Sequence, residues 1–163
     1  MSSFNRRLFL LGTATIVAGC GFAPAYGPNG PAQSLQGTIA VDEPDSRAGY
    51  LLTRALEDRL GRPAPARFGL ACSVSLDTQS AAISASNVAN RGNLLGGVTY
   101  ALRDLETGEV LISGKVDSFT SYSASGTTVA RQAAERDAQE RLMTILADQL
   151  TTRLIAASGS LPT

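Results

Sequence analysis

The chain has no histidine and no tryptophan, and only two cysteines, Cys20 and Cys72. Without histidine there is no Ser-His-Asp or Cys-His nucleophile, no His-Glu-x-x-His zinc site and no imidazole switch near neutral pH. Two cysteines cannot build a multi-bridge disulfide scaffold. Charge of either sign is sparse: 14 basic residues balance 14 acidic ones. A nucleic-acid binder usually carries a basic domain or stripe, so no nucleic-acid partner is expected. Apolar residues make up 44% of the chain, which excludes a disordered polymer. At 163 residues the expectation is one domain.

The first 19 residues read as a targeting segment rather than fold. Arg6 and Arg7 precede a mostly apolar stretch over 8–18, the length of a signal-peptide h-region and too short to span a bilayer. Val17-Ala18-Gly19-Cys20 then resembles the lipobox of bacterial lipoproteins. The resemblance implies lipidation of Cys20, cleavage before it and acylation of the new amine. Several acyl chains, at about 0.8 kcal/mol per buried methylene, make a firm anchor. Gly21 in place of Asp is compatible with sorting to the outer membrane. Arg6-Arg7-Leu8-Phe9-Leu10 also resembles a twin-arginine export motif, so both export routes stay open. Cleavage leaves 12 basic and 14 acidic residues. With Cys20 lipidated, Cys72 is either a buried small hydrophobe or a free thiol.

Residues 20–37, with Pro24, Pro28 and Pro31, are expected to form an extended tether. A domain over 38–157 follows, and residues 158–163 are expected to fray. Within the domain, 38–41 reads as a strand. Ala48, Leu51, Leu52, Ala55, Leu56 and Leu60 form the stripe of an amphipathic helix, with Asp45 or Ser46 as its cap and Gly61 and Pro63 as its stop. Phe68, Leu70, Cys72, Val74 and Leu76 alternate as a half-buried strand. Thr78–Asn93, rich in Ser, Ala and Asn, is either a loop or a weak strand extension. Val98, Tyr100 and Leu102, a turn over 105–108, and Val110, Ile112 and Val116 predict a hairpin. Ser118–Thr128 is again Ser/Thr-rich, with Phe119 and Tyr122 embedded. Residues 129–157 contain neither Gly nor Pro and predict one long amphipathic helix, with Asp137 and Arg141 paired one turn apart.

Two one-sided helices and four one-sided strands bury each other's apolar faces. The expected fold is α+β: a two-layer sandwich, both helices on one face of a four-stranded mixed sheet. The other face, around Gly97, Thr99, Ala101, Ser113 and Lys115, is small and polar. It suits water or a flat partner surface.

No catalytic constellation stands out. Asp42, Asp77, Asp104, Glu106 and Glu109 sit at strand ends or in a turn and read as solvated charge. Gly92, Gly96 and Gly97 lack the spacing of a phosphate-binding loop, and no Gly-x-Ser-x-Gly elbow is present. Binding or structural work is favoured over catalysis, and neither a metal nor a cofactor is expected beyond the lipid on Cys20.

Cys20-Gly21-Phe22-Ala23-Pro24-Ala25-Tyr26-Gly27 opens a longer likeness. It continues through Tyr100-Ala101-Leu102, Thr107-Gly108-Glu109-Val110-Leu111, Ser121-Tyr122-Ser123, Ala134-Glu135-Arg136-Asp137-Ala138 and Leu146-Ala147-Asp148-Gln149-Leu150. Together these resemble the lipopolysaccharide-assembly lipoprotein family, LptE, in its alphaproteobacterial form. The resemblance implies two helices on a four-stranded sheet. It also implies a non-enzymatic plug in the lumen of the outer-membrane barrel LptD, supporting lipopolysaccharide insertion and binding that lipid. Arg131 matches by register a basic residue implicated in the lipid contact. Arg91 is a weaker match, because 78–90 contains no Lys or Arg, and Lys115 is weaker still. The alternative is an accessory lipoprotein of a periplasmic lipid-trafficking or transport complex. A tethered hydrolase is disfavoured by the missing histidine. A core complete within one chain predicts a monomer.

Overall fold

Each apolar period of the chain becomes one element of a two-layer stack. The structure is a computed structural model that describes residue 27 and residues 30–83 and 89–162. The signal segment, Cys20 and the Phe22–Tyr26 stretch lie outside the described residues. The elements are α1 (Pro31–Leu35), β1 (Ile39–Val41), α2 (Arg47–Leu60), β2 (Phe68–Ile83), β3 (Ala89–Asp104), β4 (Val110–Ser123) and α3 (Thr128–Ala157), followed by a 3-10 turn at Ser158–Ser160. The sheet order is β1-β2-β3-β4. β1 runs parallel to β2, so α2 is the crossover between them, and the other pairs are antiparallel.

The helix periods hold. Ser46 caps α2, its hydroxyl accepting from the Gly49 amide at 3.1 Å. Leu52, Leu56 and Leu60 are buried beneath it. α3 buries Ala138, Leu142, Met143, Leu146, Ala147, Leu150 and Leu154. Both helices pack on the same face of the sheet, α2 toward β1 and β2, α3 toward β3 and β4. On that face Leu70, Val98 and Leu102 join them in one contiguous core. The i, i+4 pair Asp137–Arg141 forms as expected. α3 has the length to span a bilayer but not the apolarity; among the described residues no helix could cross one.

Two expectations about the ends of the chain need correcting. The tether ends early, because Pro31–Leu35 is a helix that buries Ala32 and Leu35 against α3 and the 3-10 turn. Pro31 at its first turn costs no hydrogen bond, which is why a proline-rich run can start a helix. The sandwich therefore has a third, short helix at its edge. The carboxyl end does not fray at 158: the Ser158 hydroxyl donates to the Ile155 carbonyl at 2.8 Å, and Leu161 packs against the core. Of the two readings of the Ser/Ala/Asn-rich stretch, the described residues 78–83 and 89–93 take the strand extension: β2 and β3 stay paired out to Ile83↔Ala89, and β4 runs on to Ser123.

Two carboxylates read as solvated are also structural. Asp42 accepts both guanidinium nitrogens of Arg103 at 2.8 Å each, a clamp from β3 across β2. It crosses at Gly69, where a Cβ would stand 3.0 Å from the Arg103 Cζ. The Asp42 hydrogen bond pushes the Arg103 pKa up further still. Asp104, largely buried, accepts from the amides of Glu106 and Thr107 at 2.7 and 3.1 Å and so shapes the β3–β4 turn.

Candidate functional site

The alternation of the strands divides the polar residues between two faces. Residues of β3 that face the helices include Gly92, Leu94, Gly96, Val98 and Tyr100; a Cβ on Gly96 would lie 2.9 Å from Leu142 of α3. Arg91, Asn93, Leu95, Gly97 and Thr99 therefore face the other way, onto the uncovered side. There the Ser121 hydroxyl donates to the Asn93 carbonyl oxygen at 2.7 Å, and Lys115 pairs with Asp117 at 2.8 Å. The opposing pair Leu95 and Phe119 is the apolar exception, with Phe119 63% exposed.

The three candidate cations do not converge. Lys115 lies in mid-strand on the uncovered face and is occupied by Asp117. Arg91 lies on the same face at the far end of the sheet, opposite Ser123. It lines a polar hollow of about 340 Å³ with Ser121, Tyr122 and Ser123. Arg131 lies at that same end but on the helix side, one turn into α3. Both arginines are exposed, and neither forms an ion pair among the described residues. Two of the three thus share one end of the molecule, on opposite faces, and Lys115 stands apart. Cys20 lies outside the described residues.

α3 begins at this end. Its cap is Thr127, whose hydroxyl accepts from the Ala130 amide at 3.2 Å. The first turn holds no acidic residue. Its free amides and the helix dipole add positive potential to the Arg131 guanidinium, a combination that attracts anions. Residues 128–137 contain no buried side chain, so the first ten residues of α3 stand beyond the core. The last tie to the sheet before them is the Thr120 hydroxyl, which donates to the Ala138 carbonyl at 3.1 Å.

Sequence reasoning did not single out Tyr122 as a site residue. Its ring lies over Gly92, where a Cβ would be 2.6 Å from Cζ. Burial raises the Tyr122 pKa, and Glu135 adds to that while Arg131 opposes it, so the phenol edge lies within reach of the charges on α3. The usable signal was an aromatic two residues after a helix-facing Thr, with a glycine opposite it.

Cys72 faces the helices half-buried, and burial pushes its thiol up to about 12. It is a small hydrophobe rather than a reactive thiolate.

A protein-family model described as "LptE: Lipopolysaccharide-assembly" matches residues 36–154. No curated protein matches the chain. Among solved structures, a lipoprotein from Caulobacter crescentus is 26% identical with a TM-score of 0.68, covering 78% of this chain and 96% of its own. The rare lipoprotein B from Shewanella oneidensis shares the fold at 13% identity and a TM-score of 0.54, over 75% of this chain and 94% of its own. Lipoprotein B from Nitrosomonas europaea does so at 13% identity and a TM-score of 0.57, over 75% and 84%.

Proposed function

Because this chain belongs to the LptE family of lipopolysaccharide-assembly proteins, we propose that it is a lipoprotein of the outer membrane, anchored on its periplasmic side through Cys20. In this reading it occupies the lumen of the LptD barrel, assists its assembly and supports delivery of lipopolysaccharide to the outer leaflet. It acts by binding, not by catalysis. The carrying observation is the sheet face that no described element covers. Polar groups on it pair with one another, as in Lys115–Asp117 and Ser121–Asn93. A polar, hydrogen-bonded wall is what a polar barrel lumen accepts.

Lipopolysaccharide is anionic through its phosphates, and arginine is suited to them by its charge and its forked donors. Arg131, raised on the positive end of α3, is the first contact proposed. Arg91, beside the Ser121 and Ser123 hydroxyls, is the second. Lys115 is a poor third, since Asp117 must release it first.

The test is affinity purification of the tagged full-length protein from detergent-solubilised outer membrane, with mass spectrometry of what co-elutes. A stoichiometric large β-barrel is the expected result. Recovery of an inner-membrane transporter subunit without a barrel would replace this reading with that of a transport accessory.

A further inference from the structure

We propose that Tyr122 is the positioning residue of the amino-terminal end of α3: wedged above Gly92, it sets where the first three turns, and Arg131 with them, stand over the sheet. The functional readout rests on the reading of Arg131 as a lipopolysaccharide contact; the structural readout does not.

Residues 128–137 extend from the packed turns of α3 and need no nucleus of their own, but an exposed helix end with no packed face frays in water. Residues 128–137 lack a buried side chain of their own, so something beside them must hold their direction. The link from β4 is only Ala124–Thr127, and Gly126 turns it with φ of 93°. This brings the start of α3 back over the end of β4. On the helix-facing row of β4, Thr120 is spent on the Ala138 carbonyl. The next residue on that row is Tyr122, partly buried and packed against the core.

Gly92 determines how Tyr122 lies. A Cβ there would meet Cζ at 2.6 Å and Oη at 2.8 Å, so the ring occupies the space a side chain would fill. Tyr100 covers Gly114 in the same way, with a Cβ 2.7 Å from its Oη, and is 4% exposed. The repeat shows a packing device used twice, in the closed core and under the overhang. Above Tyr122, Arg131 and Glu135 are one turn apart on α3, and both act on its phenol.

The experiment is hydrogen–deuterium exchange on the full-length protein in detergent, comparing residues 128–137 with 142–157, alongside binding of purified lipopolysaccharide. Tyr122→Ala is expected to speed exchange over 128–137 on the order of tenfold and leave 142–157 protected. Gly92→Ala should do the same, because its Cβ evicts the ring. Tyr122→Phe should restore protection, since the ring and not the hydroxyl is the wedge. Lipopolysaccharide binding should weaken in the first two variants and recover in the third. Unchanged exchange over 128–137 in Tyr122→Ala would overturn the proposal, as would equal acceleration over both segments. Faster local exchange with unchanged lipid binding would uphold the positioning of α3 and remove Arg131 from the lipid contact.

Discussion

At the end of the sheet where β1 joins, the helix-facing rows carry Phe68, Leu70, Val98, Tyr100 and Leu102, all nearly or fully buried under two helices. At the other end the same strands continue, but among the described residues Leu94 is the one large aliphatic side chain the sheet buries there; its helix-facing neighbours are Gly92, Gly96, Ser118, Thr120 and the half-buried Tyr122, and Leu76 is 39% exposed. Cover there comes from α3 alone. One end is held by apolar burial. The other is held by a single buried leucine, Leu94, with the strand ladder, a threonine bonded to a helix carbonyl and an aromatic ring over a glycine. The difference separates two tasks. The first end supplies the stability, and the second can carry exposed arginines because little of the core depends on it. Local stability of this graded kind is where binding surfaces are usually found.

The comparison breaks most visibly at Leu146, which is fully buried in α3. Leu146→Ala should cost about 2–5 kcal/mol by denaturant titration. The matched glycines sharpen it. Gly114→Ala drives a Cβ into Tyr100, which has no room to move, and should cost about 1–3 kcal/mol. Gly92→Ala makes the same collision with Tyr122, which has an open side, and should cost clearly less in the same titration. Smaller still is Thr151, buried on α3 with a hydroxyl that has no hydrogen-bond partner among the described residues. Thr151→Val keeps the shape, removes the orphan and should raise stability by about 1 kcal/mol.

Cys72 affects stability only in alkali. Its folded pKa is raised to about 12. The protonated thiol therefore stabilises the fold fully below the unfolded range near 8.5. That contribution is lost as pH rises from there toward 12. Folded protein should react slowly with a thiol reagent at about pH 8, and urea-unfolded protein at once. Arg131→Glu should leave stability within about 0.5 kcal/mol in calorimetry. It should weaken lipopolysaccharide binding on the order of tenfold.

The packed end was legible in the sequence and the extended end was not, for one physical reason. Periodicity reports burial. Leu52, Leu56 and Leu60, or Leu142, Leu146 and Leu150, repeat because a core lies beneath them. Thr78–Asn93 does not alternate, because its sequence carries few large apolar residues, and the described part of it is strand through pairing alone. α1 was hidden because two residues, Ala32 and Leu35, carry its burial within a run of Pro and Gly. At the candidate site the arginines were legible as charges, but their division between two faces follows from register. Pairing along β4, where Asp117 claims Lys115, is likewise a fact of the folded strand. The clamp of Arg103 on Asp42 joins residues 61 apart in sequence, and no local pattern foretells it.

The β2–β3 hairpin outruns α2, and this gives the molecule an adjustable length. Two residues added to each strand preserve the alternation of faces and extend the sheet by about 7 Å. One further turn of α3, about 5.4 Å, nearly keeps pace. A single added residue would instead turn every side chain beyond it to the opposite face. The distance from the anchored core to the arginine-bearing tip can therefore be reset in even steps, with no core residue replaced.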